Sequence, residues 1–161
     1  HKNRVLDAIA QLEKVKQKGY QVSLQCMGYS TYSPDECKNL LAALKQTEID
    51  YVYVADSYGS IYPFQIPEMF GPLLELDHVK IGFHPHNNIQ MAFANTLEAV
   101  RLGVHIIDTS IYGVGRGAGN LPTEILLSYL MKQGGDKYNV IPVLNCIDRN
   151  FLELKRVHAW G

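Results

Sequence analysis

GFHPHNNIQMAFANTLEAVRLGVHIIDTSIYGVGRGAGNLPTE, residues 82–124, is the stretch on which the fold turns. It opens at the end of an apolar run, VKIGFHPHN (79–87), that reads as a strand. IQMAFANTLEAVRLG (89–103) has helical spacing and closes in Arg101 and Gly103, as the helix macrodipole and a left-handed cap favour. VHIIDTSI (104–111) reads as a further strand, and the loop YGVGRGAGN (112–120) leads into a helical LPTEILLSYLMKQGG (121–135). Strand, helix, strand, loop, helix is the alternation of a parallel sheet covered by its own crossovers.

Working upstream, the same unit recurs. Val5, Leu6, Ile9, Leu12 and Val15 lie on a helical period that stops at Gly19, and QVSLQCMG (21–28) reads as a strand. Ser33 is an N-cap with Pro34 at the first helical position and Glu36 three residues past the cap; Leu40, Leu41 and Leu44 form that helix's apolar stripe. DYVYVADS (50–57), rich in Val and Tyr, is another strand. IYPFQIPEMFGPLLEL (61–76) is helical in pattern, but Pro63, Pro67 and Pro72 predict a broken or late-starting helix. From Asp136 on the pattern is less regular, with a last helix expected in NFLELKRVHAW (150–160).

Four strand–helix units specify an α/β fold. They close either as a doubly wound open sheet or as part of a (β/α)8 barrel, and a whole barrel takes about 250 residues, so four units are about half of one. The 161 residues are 47% hydrophobic and 19% charged with a net charge of −1, which offers no basic field for nucleic acid and no polybasic stretch for a membrane surface. No apolar run approaches the roughly 20 residues that span a bilayer. Cys26, Cys37 and Cys146 are odd in number and far apart, the pattern of buried or incidental thiols in a reducing compartment, and a cytoplasmic location is expected. The chain starts without Met and almost directly on a helix, and it reads as part of a longer protein.

The chemistry-bearing residues gather at strand ends. His84 and His86 are two apart, so alternation points both imidazoles to one face, as two ligands of one cation require; they can equally be ordinary histidines at a loop mouth. Gly82, one step back on that face, is expected to leave room beneath them. Asp56 ends a strand on the side where barrels place chemistry, or it caps the turn before Tyr58 and Gly59. Asp108 and Ser110 share a face and either line the same cavity or bond the following loop. That loop carries Gly113, Gly115, Gly117 and Gly119 in seven residues, and a phosphate or dinucleotide site competes with a lid or close backbone approach there. No acidic ribose ligand follows at the spacing a dinucleotide site needs.

Residues 82–124 closely resemble the metal-dependent pyruvate-type lyase and synthase superfamily, the hydroxymethylglutaryl-CoA-lyase-like (β/α)8 barrels, and the looser likeness runs from Tyr20 to Glu124. The motifs are His84-Pro85-His86, Ala94-Asn95-Thr96, Asp108-Thr109-Ser110 and Gly117-Ala118-Gly119-Asn120. The resemblance implies that this chain is the second half of such a barrel, with 1–135 in the catalytic domain and 136–161 as its tail. It implies His84 and His86 as ligands of Mn2+, Mg2+ or Zn2+, Asp56 and Asn120 as catalytic residues, and Asp108, Ser110, Gly115, Arg116 and Gly117 as substrate or loop residues.

The glycine loop holds no cysteine between Ile111 and Asn120, which points away from the CoA-thioester lyases and toward the 4-hydroxy-2-oxovalerate aldolase branch. The implied reaction cleaves a 4-hydroxy-2-oxo acid to pyruvate and an aldehyde through a metal-stabilised enolate. An acetyl-CoA-dependent Claisen-type synthase, or an incomplete half-barrel that serves as a binding or assembly module, are the alternatives. The first-strand Arg-Asp motif of the superfamily is missing, so an N-terminal half of the same barrel is an expected partner, beside a 2-oxo acid substrate and a homo-oligomeric contact.

Overall fold

The computed structural model describes residues 2–134 and 137–160. Four parallel strands, β1 (Ser23–Met27), β2 (Tyr51–Asp56), β3 (Lys80–Pro85) and β4 (Ile106–Ile107), pair in their order along the chain. Helices α1 (Val5–Lys16), α2 (Pro34–Leu44), α3 (Ile66–Leu74), α4 (Ala92–Leu102) and α5 (Thr123–Lys132) alternate with them. A doubly wound sheet reverses its strand order at a switch point and buries both faces. Neither happens among the described residues.

One face of the sheet carries Leu24, Cys26, Val52, Val54, Ile81 and Phe83, all buried against the helices. Phe70 of α3 meets Phe83 edge-to-face at 5.2 Å between ring centres, and full burial of each ring contributes roughly 1.5–3 kcal/mol. On the opposite face Ser23, Gln25 and Met27 are exposed and Tyr51 and Tyr53 half-exposed.

The local rules explain most boundaries. Ser33 and Glu36 form the expected capping box: Glu36 N–H donates to Ser33 Oγ at 3.2 Å and Ser33 N–H to Glu36 Oε2 at 2.7 Å. α3 starts late, after a single tight turn at Pro63–Gln65, and retains Pro72 inside it. α4 begins at Ala92 rather than at 89 because Gln90 sits in the left-handed region (φ 60°), and Asn87 Oδ1 accepts the Ala92 N–H at 3.1 Å instead. Gly103 (φ 93°) ends it as expected.

Three expectations need correction. β4 pairs over two residues, not over 104–111, because Ser110 leaves the sheet to bond Leu121 (N–H to O, 3.0 Å). The C-terminal segment is more regular than its sequence suggests: α6 (Ile141–Cys146), a π-helical stretch (Ile147–Phe151) and α7 (Leu152–His158) follow one another without a break. The boundary expected at 135–136 lies outside the described residues. Gly82, finally, leaves no open room: a Cβ there would lie 2.5 Å from the Tyr53 ring, which packs across it from the neighbouring strand.

Candidate active site

The C-terminal ends of β2, β3 and β4 converge on the two histidines. Their rings lie on one side of the strand, 5.1 Å apart between centres and inclined at 70°. His84 Nδ1 meets Asp108 Oδ2 at 2.9 Å. A carboxylate accepts, so Nδ1 carries the proton and the Nε2 lone pair is left for another partner. Asp108 itself is fixed by its backbone N–H, which donates to Phe83 O at 2.9 Å and carries the β3–β4 ladder one residue further. The Asp108 side chain bonds His84 rather than the loop that follows it.

His86 is half-buried, and its Nδ1 is buried with no hydrogen-bond partner among the described residues. Burial holds its pKa below the ordinary histidine value, helped by the nearby His84 and Arg116 and opposed by Asp56. A neutral ring is the result near pH 7. His86 forms an isolated antiparallel bridge with Asn120, and Asn87 N–H donates to Gly119 O at 2.9 Å, so the glycine loop lies against the histidine strand. Asn120 Nδ2 donates to Val114 O at 3.0 Å while its Oδ1 is buried and unpartnered, as is Ser110 Oγ.

A divalent cation is the group these orphans suit. An imidazole nitrogen and an amide oxygen, buried, unbonded and carried on bridged residues, are donors waiting for an acceptor of lone pairs. The set is partial: among the described residues no three or more His, Cys, Asp and Glu side chains gather as a ligand group.

Asp56 ends β2, as the sequence reading places it, on the side that faces the helices. It is fully buried on the helix-facing side of β2, its Oδ1 accepting from Ser60 N–H and its Oδ2 from Ile61 N–H, both at 3.1 Å. Burial raises its pKa against the pull of those amides. It caps the β2–α3 loop, the turn alternative open in the sequence.

The last amides of the glycine loop are turned inward rather than toward a ligand. The N–H groups of Ala118, Gly119 and Asn120 donate to Asn88 Oδ1, Arg116 O and Gly113 O, so these amides have partners already. Gly119 (φ 85°) is the position that tolerates no side chain, since a Cβ would lie 2.0 Å from Gly113 O. Gly115 and Gly117 give the loop close approach to Asn120 and Asn88, and exposed Arg116 reaches back to donate to Ser57 O at 2.8 Å.

Three residues escaped the sequence reading. Asn88 ties the three strand-end loops together, donating to Tyr58 O at 2.8 Å and accepting from Ala118 N–H at 2.9 Å; an Asn pair directly after the histidines was the signal. Tyr53 floors the site over Gly82, and the negative charge of Asp108 adds to burial in raising its pKa. Trp160 donates to Tyr112 O at 2.7 Å and packs edge-on against the Tyr112 ring, anchoring the C-terminal helices to the glycine loop.

Comparison with known proteins extends this picture. The HMGL-like family model matches residues 2–151. Oxaloacetate decarboxylase of Mycobacterium tuberculosis is 35% identical over 123 residues, 76% of this chain and 37% of that protein. A 4-hydroxy-2-oxovalerate aldolase of Pelotomaculum thermopropionicum is 44% identical over 85 residues, 53% of this chain and 25% of that protein. The chain thus spans well under half the length of these curated relatives. An N-terminal domain from Bacteroides vulgatus, assigned to an aldolase, superposes with a TM-score of 0.85 at 31% identity, over 99% of this chain and 53% of that one. The HMG-CoA lyase of Bacillus subtilis shares the fold (TM-score 0.76, 20% identity, 97% of this chain and 56% of that one). A family model that covers 2–151, on a parallel sheet with the histidine pair at its C-terminal end, decides the assignment: the chain belongs to the HMGL-like family.

Proposed function

We propose that the complete protein is a divalent-metal-dependent aldolase that cleaves a 4-hydroxy-2-oxo acid to pyruvate and an aldehyde. The observation that carries this reading is the pairing of carboxylate-oriented His84 with unpartnered His86 beside the orphaned Asn120 oxygen. The resemblance of this chain to several 4-hydroxy-2-oxovalerate aldolases supports it.

Retro-aldol cleavage removes the 4-hydroxyl proton, breaks the C3–C4 bond and leaves an electron pair that the 2-oxo carbonyl must accept. His84, His86 and the Asn120 amide oxygen would hold a Mn2+, Mg2+ or Zn2+ ion, which when bound supplies positive charge to that carbonyl oxygen. Asp108 fixes the tautomer and tilt of His84, an outer contact of the kind that raises ligand basicity. Tyr53 closes the space under the pair, and the loop from Gly113 to Asn120, pinned by Asn88 and Trp160, covers its side. Ser110 Oγ, also orphaned, would offer a hydroxyl to substrate oxygens.

The proposal extends to the whole molecule: four consecutive units of a (β/α)8 barrel, its second half, with 136–161 as the tail of the same domain, an N-terminal half completing it, and a cytoplasmic address. Two open sheet edges, β1 and β4, support the barrel. Among the described residues no helix is long and apolar enough to cross a membrane. The likeness to oxaloacetate decarboxylase favours one second reading, since loss of CO2 from a 2-oxo dicarboxylate leaves the same pyruvate enolate to be held.

The test is a coupled assay of the full-length protein. With a divalent cation present, racemic 4-hydroxy-2-oxo acids are expected to release pyruvate, with no effect of acetyl-CoA. Pyruvate from oxaloacetate alone selects the decarboxylase. Release of free CoA from acetyl-CoA and a 2-oxo acid moves the protein to the synthase branch, and absence of any turnover leaves the half-barrel binding module.

A further inference from the structure

Beside the histidines, at the ends of β1 and β2, lies a cavity of about 180 Å3 lined by Lys2, Met27, Gly28, Thr31, Ser57, Tyr58 and Arg116. Pockets that enclose a whole small molecule measure roughly 300–1,000 Å3, so this one holds one end of a ligand. Its walls are fixed. Gly28 N–H donates to Ser57 Oγ at 2.8 Å, which leaves the Ser57 hydroxyl proton unspent, and Thr31 Oγ1 donates to Gly28 O at 2.8 Å.

Its charge is positive. Arg116 uses one N–H on Ser57 O, and among the described residues no carboxylate lies within ion-pair distance of its guanidinium. A guanidinium has five N–H groups, so most of its donors remain available in a planar fork that matches a carboxylate. Lys2 contributes less, because its ammonium is already 3.1 Å from Glu36 and 3.0 Å from Thr31 O. The same loop that carries Arg116 carries Asn120, which bridges to His86. One loop thus touches both the histidine strand and the wall of this cavity.

We infer that Arg116, aided by Ser57 and Tyr58 hydroxyls and by Lys2, forms a subsite for a second carboxylate at the far end of the substrate. The inference rests on the aldolase reading and narrows its substrate class to 4-hydroxy-2-oxo dicarboxylic acids. For the shortest such acid, the 4-hydroxyl proton leaves to a base and the C3–C4 bond breaks. C4 becomes the aldehyde carbon of an oxo-carboxylate, whose carboxylate stays on Arg116. C3 takes a proton to give pyruvate.

Binding separates this inference from the reading beneath it. Calorimetric titration of the full-length, metal-loaded protein compares pyruvate with 2-oxoglutarate, which differ by a distal carboxylate. A charge-assisted bond of this kind predicts 2-oxoglutarate tighter by roughly 10-fold or more. Arg116→Gln should bring the two within about threefold, while Arg116→Lys restores part of the preference. An unchanged melting temperature in both variants marks the loop as intact. Equal affinities in the unmodified protein, or a preference that survives Arg116→Gln, overturn the subsite. Inorganic phosphate that displaces 2-oxoglutarate as well as glutarate does overturns the carboxylate assignment. The aldolase reading stands or falls separately, on pyruvate release: a dicarboxylate preference in binding without turnover removes the reaction and keeps the subsite, and turnover without the preference does the reverse.

Discussion

At the scale of single residues, the sequence marked the histidines by spacing but not their partners. Two imidazoles at i and i+2 of a strand share a face by geometry alone, and they do. Asp108, 24 residues away, reaches His84 only because β4 pairs with β3 in register Gly82↔Ile106 and Phe83↔Ile107, which no local pattern announces. Asp56 is visible as a strand-end carboxylate, but it alternates in step with Val52 and Val54 and so shares their buried, helix-facing side. Asp108 therefore gives the sharper test of the site. Asp108→Asn keeps the shape and removes the negative charge that orients His84. Affinity for Mn2+, measured by titration of the full-length protein, is expected to fall roughly 10–100-fold with the fold intact. Unchanged affinity would show that the His84–Asp108 contact has no bearing on the site.

At the scale of elements, legibility followed the strength of the local signal. The Ser33 capping box and the Gly103 cap were readable to the residue because each is a short-range hydrogen-bond rule. β4 and the C-terminal helices were not, because β4 is cut short by bonds to a distant loop and the last helices gain order by docking Trp160 on Tyr112. One inter-element contact has a pH signature. The Asp50 carboxylate before β2 pairs with Lys16 at the end of α1 and accepts Val22 N–H at 2.7 Å, joining that helix to the start of the sheet. The Lys16 ammonium and the Val22 amide hold the Asp50 pKa below its ordinary value. A depressed carboxylate stabilises the fold fully above the unfolded-state pKa of about 3.9, and that contribution is lost as pH falls through the folded value. Thermal melts from pH 6 down to pH 2 should show Asp50→Asn less stable than the parent at pH 6 and the gap closing in acid. A gap that stays constant with pH would mean that the pair does not stabilise the fold.

At the scale of the whole molecule, among the described residues the sheet has two unpaired edges and one face, with Gln25, Met27 and Tyr53, that its own helices do not cover. An open parallel edge and an uncovered face invite association. Taken alone, these 161 residues are expected to dimerise or aggregate in sedimentation, and a well-behaved monomer would contradict the half-barrel proposal. The alternation of strands and helices was legible throughout, whereas the choice between an open sheet and a barrel segment needed the observed strand order and the one-sided burial. What unites the molecule is the proposed cation at His84 and His86, and it is measured directly. Metal analysis of the purified full-length protein is expected to find a divalent cation that falls away in His84→Ala and in His86→Ala, together with pyruvate release. Full occupancy in the double variant would contradict the account at its centre.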